Sequence, residues 1–235
     1  MWIIFDVNGV ITPNIELSII NAYALKTKKN RILAFLKYLF LLLDYQKGLI
    51  EDKVFWEFVF DKDAYYYVKK NYSQNKFLDK KIIEEIKLLK KNKLNIAILS
   101  NSSFLMSQEY KKLKFYDLAD KVFLSDEIHM IKPEPRIYTF VMKELAASPK
   151  ECMLIDDSWY NVLSSSLMGW KVVWFRDVDD LSKILRKINK KEYLQEIITT
   201  IQDKEIPKRA KAIPKRAKEL PKKIKEFGKK KLKRK

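Results

Sequence analysis

Apolar residues fall into short runs of four or five along much of the chain, separated by stretches where they recur at helical spacing. Trp2–Phe5, Asn95–Leu99, Lys121–Leu124, Cys152–Ile155 and Lys171–Phe175 are predicted to be strands. Such runs, lacking an alternating polar face, predict a sheet covered on both sides. Between them, Lys80–Lys91 has an amphipathic helical pattern. Ser103–Lys114, Pro135–Ala147 and Trp159–Met168 are also predicted to be helical, the second with its proline near the start, where a helix tolerates it. Strand alternating with helix predicts an α/β fold with a Rossmann-like parallel sheet core. Residues 14–78 break the alternation with several helical segments rich in Leu, Phe and Tyr. Their longest apolar stretch, Ile32–Leu43, is interrupted by Lys37. As a helix it would be about 18 Å long, too short for a hydrocarbon core of about 30 Å, and it is expected to be a buried helix.

Composition narrows the chemistry. A chain of 235 residues suits one α/β domain with a small accessory domain, and 47% hydrophobic residues can bury a core. One Cys and one His exclude an intrachain disulfide and a zinc site built on those residues. Any metal must be held by oxygen, which favours Mg²⁺. The single Cys152 is consistent with a reducing compartment. Met1–Phe5 leads into Asp6 without a basic segment or cleavage site, so a cytoplasmic protein is expected.

The net charge of +18 is uneven. Residues 204–235 hold 16 Lys/Arg against 3 Glu, a net of +13, whereas residues 1–203 hold 32 against 27 acids. The tail repeats every seven residues: Ile206, Ile213 and Leu220 each precede a proline and a basic cluster, and Phe227 opens a decayed fourth unit. This composition buries no core and is expected to be disordered. Three readings stand for it: a solvated extension, a contact for an anionic membrane surface, or a contact for nucleic acid. A C-terminal helix is expected over 191–203, between the core and the tail.

In a parallel sheet the chemistry sits at the carboxyl ends of the strands. Asp6-Val-Asn-Gly-Val-Ile-Thr12 follows the first strand, and Ser100-Asn101 the second. Lys132-Pro133 comes a few residues after the third, and Asp156-Asp157 ends the fourth. A carboxylate, a hydroxyl, an amine and a carboxylate pair at one rim form a kit for phosphoryl transfer. A carboxylate can carry a covalent phosphoryl group, carboxylates hold Mg²⁺, and a lysine balances developing charge.

In these four segments, the chain resembles the haloacid dehalogenase (HAD) superfamily of hydrolases. Phe5–Thr12 is similar to its first motif, and Ile98–Asn101 to its second. Lys132-Pro-Glu-Pro-Arg-Ile-Tyr138 resembles the third, and Leu154–Asn161 with Gly169 the fourth. The match covers about residues 1–176 and implies a core of residues 1–13 and 79–190 with a helical cap over 14–78. Tyr45–Trp56 is similar to caps of the epoxide-hydrolase-N-domain and sugar-phosphate-phosphatase branch. The resemblance implies an Mg²⁺-dependent phosphatase acting on a small phosphorylated metabolite. Asp6 would be the nucleophile, the Asn8 backbone carbonyl a metal ligand, and Asp156 and Asp157 the metal carboxylates. Ser100, with Asn101, would bind phosphate, Lys132 would position Asp6, and Asn161 would support the metal loop.

One position departs from the pattern. The family's phosphatases usually carry Asp two residues after the nucleophile, where this chain has Asn8. An amide does not deliver and retrieve a proton at neutral pH, and losing such a group costs about 10²- to 10⁴-fold in rate. A weakly active or inactive binding protein, targeted by its basic tail, is the alternative. His129, where relatives often have Gly, is expected to be a surface or packing residue. The aromatics Phe55, Trp56, Phe58, Phe60, Tyr65, Tyr66 and Tyr67 are expected to form the core of the cap.

Overall fold

The computed structural model describes residues 1–74 and 78–188. The expected helix over 191–203 and the basic tail 204–235 lie outside the described residues. Five strands form one sheet: β1 (Trp2–Phe5), β2 (Asn95–Ser100), β3 (Lys121–Leu124), β4 (Cys152–Asp156) and β5 (Lys171–Trp174). Their order is β3-β2-β1-β4-β5 and every pair is parallel. Phe5 is in register with Ile98 of β2 and Ile155 of β4, so the residues after these strands emerge side by side. The chain runs outward in one direction from β1 to β3 and then crosses to β4. The crevice of this switch point lies beside the end of β1.

Among the described residues, ten α-helices accompany the sheet. The first four, α1 (Glu16–Lys26), α2 (Arg31–Gln46), α3 (Asp52–Val59) and α4 (Ala64–Gln74), come between β1 and the rest of the core. They are followed by α5 (Lys80–Lys91), α6 (Phe104–Lys111), the single turn α7 (Ser125–Ile128), α8 (Pro135–Glu144), α9 (Trp159–Leu167) and α10 (Val178–Ile188). Local chemistry sets several starts. The Asp79 carboxylate accepts from the backbone N–H groups of Lys81 and Ile82 and caps α5. Ser103 accepts from Met106 N–H at the start of α6. The Asp79 N–H also donates to the Ile11 carbonyl at 2.9 Å, which ties the two ends of the α1–α4 insertion together. Among the described residues, no helix is long and apolar enough to cross a membrane.

Polar groups organise the interior of the insertion. Glu16 is buried and accepts hydrogen bonds from the hydroxyls of Tyr38 and Tyr72. Asp52 accepts from the Tyr45 hydroxyl at 2.6 Å, and Tyr45 in turn accepts from the Trp56 indole N–H at 3.1 Å. Tyr45 stacks on Phe55 with ring centroids 3.7 Å apart. Of the seven aromatics expected in this core, Phe55, Trp56 and Phe60 are buried, while Phe58 and Tyr66 are exposed.

The expectation of a buried helix over Ile32–Leu43 is corrected here. The side chains that α2 buries are Ala34, Tyr38 and Tyr45, whereas Ile32, Leu33, Phe35, Leu36, Leu39, Phe40 and Leu43 are exposed. Two buried carboxylates draw the tyrosine hydroxyls inward, because an unpartnered buried acceptor costs about 1–3 kcal/mol. The leucine face is thereby turned outward. Fully burying such side chains would be worth about 1.5–3 kcal/mol each, so this helix leaves a large apolar stabilisation unused.

Candidate active site

Asp6 follows β1 and is almost fully buried. Its backbone N–H donates to the Ile155 carbonyl at 2.9 Å, which extends the sheet by one residue toward β4. Its Oδ1 accepts from Val7 N–H at 2.7 Å and pairs with Lys132 Nζ at 2.9 Å. Burial pushes the Asp6 carboxyl up to about 7; Lys132 opposes this and nearby Asp156 reinforces it.

Lys132 lies between two carboxylates, 2.9 Å from Asp6 and 2.6 Å from Asp156 Oδ2. Burial alone would lower its ammonium pKa, but Asp156 and Asp6 more than offset this and hold it above its ordinary value. Asn101 fixes the lysine's backbone: its Oδ1 accepts from Lys132 N–H and its Nδ2 donates to the Lys132 carbonyl, both at 2.8 Å. A two-point clamp of this kind determines where the ammonium can reach.

Asp156, fully buried at the end of β4, accepts from Ser158 N–H at 2.9 Å. The Asn161 amide donates to both of its oxygens, at 3.0 and 3.1 Å. Asp157 is less enclosed; burial, and then the charge of Asp156, raise its carboxyl above the ordinary value. One carboxylate oxygen each from Asp6, Asp156 and Asp157 fall within 4.8 Å of one another. Gly9 faces this group. A Cβ there would lie 2.2 Å from Asp157 Oδ2, and its φ of +83° is one that glycine adopts without strain. The cluster thus has a cradle that any side chain at position 9 would fill. Three convergent carboxylates suit a hard divalent cation such as Mg²⁺.

The Asn8 side chain is held by neighbouring side chains. Its Oδ1 accepts from the Tyr110 hydroxyl at 2.6 Å, and its Nδ2 contacts Met106 Sδ at 3.1 Å. Thr12 Oγ1 donates within 3.4 Å of the same Oδ1. Ser100 is fully buried, with Oγ 3.5 Å from the Asn101 carbonyl.

These groups open onto a cleft of about 260 Å³. The core contributes Asp6, Asn8, Asn101, Lys132 and Asp157 to its walls; α1 and α2 contribute Glu16, Leu17, Phe35, Tyr38 and Leu39. Of the site residues expected from the motifs, Ser100 and Asp156 are the two that do not line it. Glu16, Tyr38 and Tyr160 line it as well, and sequence reasoning missed the first two. Nothing in the local sequence marks Glu16 as buried; its only signal is a carboxylate shortly after the first motif. His129 is exposed with φ +55°, and its Nδ1 lies 2.7 Å from the Lys47 carbonyl. That left-handed backbone is one that glycine adopts without strain.

A family model described as haloacid dehalogenase-like hydrolase matches residues 1–169. Bifunctional epoxide hydrolase 2 of Rattus norvegicus is 36% identical over 69 residues, 29% of this chain and 12% of that protein. (S)-2-haloacid dehalogenase 4A of Burkholderia cepacia is 29% identical over 91 residues, 38% of this chain and 39% of that protein. The chain therefore spans well under two thirds of either relative. Among solved structures, a HAD family enzyme of Bacteroides thetaiotaomicron in complex with magnesium and inorganic phosphate gives a TM-score of 0.60. It is 22% identical, with 77% of this chain and 98% of that one covered. At that identity the likeness shows the fold.

Proposed function

The chain belongs to the haloacid dehalogenase-like hydrolase family, and on that premise we propose that it is an Mg²⁺-dependent phosphatase acting on a small phosphate monoester. The observation that carries this reading is the carboxylate cluster Asp6–Asp156–Asp157 with the buried Lys132 beside it. Dehalogenation by an aspartate needs no acidic cation site, so the cluster favours phosphoryl transfer. The side chains of Asp6, Asp156 and Asp157 and the backbone carbonyl of Asn8 would hold Mg²⁺. When bound, the ion supplies positive charge that offsets repulsion between an anionic nucleophile and an anionic substrate.

Asp6 attacks phosphorus, forming an O–P bond as the ester P–O bond breaks, which leaves an aspartyl phosphate and the departing alcohol oxygen. Val7 N–H and Lys132 hold the carboxylate in one orientation for this step. Lys132 also remains charged opposite the phosphoryl oxygens. Ser100 would bind one of those oxygens after its hydroxyl turns from the Asn101 carbonyl into the cleft. Water then cleaves the aspartyl phosphate. Asn8 does not protonate the leaving oxygen or activate that water, so good leaving groups are favoured. The α1–α4 insertion, acting as the cap, excludes water and selects the substrate.

The amide at position 8 also supports a second reading, a weakly active or inactive binding protein. Phosphate release from aryl phosphate and a panel of phosphometabolites, with and without Mg²⁺, separates the two, with Asp6→Asn as the control. Mg²⁺-dependent release that disappears in the control is the expected result. Release no greater than that of the control would overturn the phosphatase reading.

A further inference from the structure

We propose that the outer face of α2 is a docking surface for an anionic lipid bilayer. The face is inverted relative to an ordinary surface helix. Ile32, Leu36, Leu39, Phe40 and Leu43 follow i, i+4, i+7, i+8 and i+11 spacing, which puts them on one side of the helix. Their exposures run from 46% for Leu39 to 73% for Ile32. Phe58 of α3 widens the face, with its ring centroid 6.3 Å from that of Phe40. A contiguous apolar patch on this scale marks an interaction site.

Charge selects the occupant. Lys26, Lys28, Lys29 and Arg31 put four cations within six positions at the amino end of α2, all of them exposed. No acid occupies the first turn of the helix, where Arg31 opposes the dipole and so weakens the helix where it stands. The exposed acids from α2 through α3, Asp44, Glu51 and Glu57, come later in the chain and are fewer. An apolar stripe bordered by cations is the pattern of a helix that lies in a bilayer interface. Exposed Trp159 and Tyr160 fit the same surface, since amphipathic aromatics favour the headgroup level. Tyr160 lines the same cleft as Phe35 and Leu39, and its ring centroid is 6.0 Å from that of Trp159, so the pair borders the cleft that α2 also borders. The basic residues of 204–235 add long-range attraction, and a single weak contact seldom suffices for stable docking.

Flotation of the full chain with vesicles of phosphatidylcholine, with or without phosphatidylserine, provides the test. The protein is compared with the variant Ile32→Ser/Leu36→Ser/Phe40→Ser/Leu43→Ser, whose fold is checked by circular dichroism. Binding to phosphatidylserine vesicles is expected to fall roughly tenfold or more in the variant. Because Cys152 is buried, Leu36→Cys also accepts an environment-sensitive fluorophore selectively, with exposed Lys143→Cys on α8 as the control. The probe at 36 should shift to the blue on vesicle addition and the probe at 143 should not. This readout does not depend on the fourfold variant. Absence of flotation would overturn the proposal. Flotation with equal binding by the variant and no shift at 36 would assign the contact to the tail alone and also overturn it. A dimer in sedimentation that the fourfold variant abolishes, with no vesicle binding, would assign the face to a second copy.

Discussion

At the scale of single residues, the site turns on one amide and the hydrogen bond that holds it. Asn8 accepts from the Tyr110 hydroxyl at 2.6 Å. In Asn8→Asp the same hydroxyl would donate to a carboxylate and favour its ionised form, against the role of a proton donor. Turnover in Asn8→Asp is expected to rise more for alkyl phosphates than for aryl phosphates, because only the poorer leaving group needs the proton. Adding Tyr110→Phe should raise the alkyl rate further. Steady-state rates on paired alkyl and aryl substrates check both steps, and equal gains on the two would remove the acid–base explanation. Gly9 supplies a second test. A methyl group there lies 2.2 Å from Asp157 Oδ2 and must displace that carboxylate. Gly9→Ala should weaken Mg²⁺ binding at least tenfold, roughly the loss that follows disturbance of a supporting residue at a metal site. Titration calorimetry reads this directly, and unchanged affinity would exclude Asp157 as a ligand.

At the scale of elements, the insertion is joined to the core through the turn after α2. Gly48, at φ +68°, approaches so closely that a Cβ would lie 2.5 Å from the Asp126 backbone carbonyl. Lys47 beside it pairs with Glu134 at 2.6 Å. Gly48→Ala must strain the backbone and separate the two segments, and should cost about 1–3 kcal/mol in a denaturant titration. The strands and the carboxylates at their ends were legible in the sequence, because a buried parallel strand leaves a short apolar run and the next residue points at the crevice. The orientation of α2 was not. Its sequence is apolar on nearly every side, so periodicity does not choose a buried face. That choice was made by Glu16 and Asp52, whose partners Tyr38, Tyr72 and Tyr45 are set by contacts up to 56 residues apart in sequence. The Asn101 clamp on Lys132 was hidden for the same reason: its two partners are 31 residues apart.

At the scale of the whole molecule, buried carboxylates set how stability depends on pH. Burial raises Asp6, Glu16, Asp52 and Asp157 above their ordinary values, in Asp6 to about 7. Over the interval from the ordinary carboxylate range up to about 7, the folded chain holds protons that an unfolded chain has released. Stability therefore falls as pH rises through that interval. Asp61, Asp120 and Glu134 have the opposite sign: partners outweigh burial and lower them, so their contribution is present above the ordinary carboxylate range and is lost in acid. The metal-free protein should thus be most stable on the acid side of neutrality, with its thermal midpoint falling between about pH 5.5 and 8. Mg²⁺ must displace the proton held by Asp6, so its affinity should rise over the same range. The gain in midpoint on adding Mg²⁺ is then expected to grow with pH, and a gain that stays constant would mean that the empty cluster holds no proton. Glu16 provides the control, because it lies in the insertion and outside the carboxylate cluster. Glu16→Gln sacrifices an acceptor for one tyrosine hydroxyl, which costs stability at every pH, but it also removes a group that resists ionising in the folded state. The difference between wild type and Glu16→Gln should narrow as pH rises, with or without Mg²⁺, whereas the Mg²⁺-dependent gain should persist in the variant.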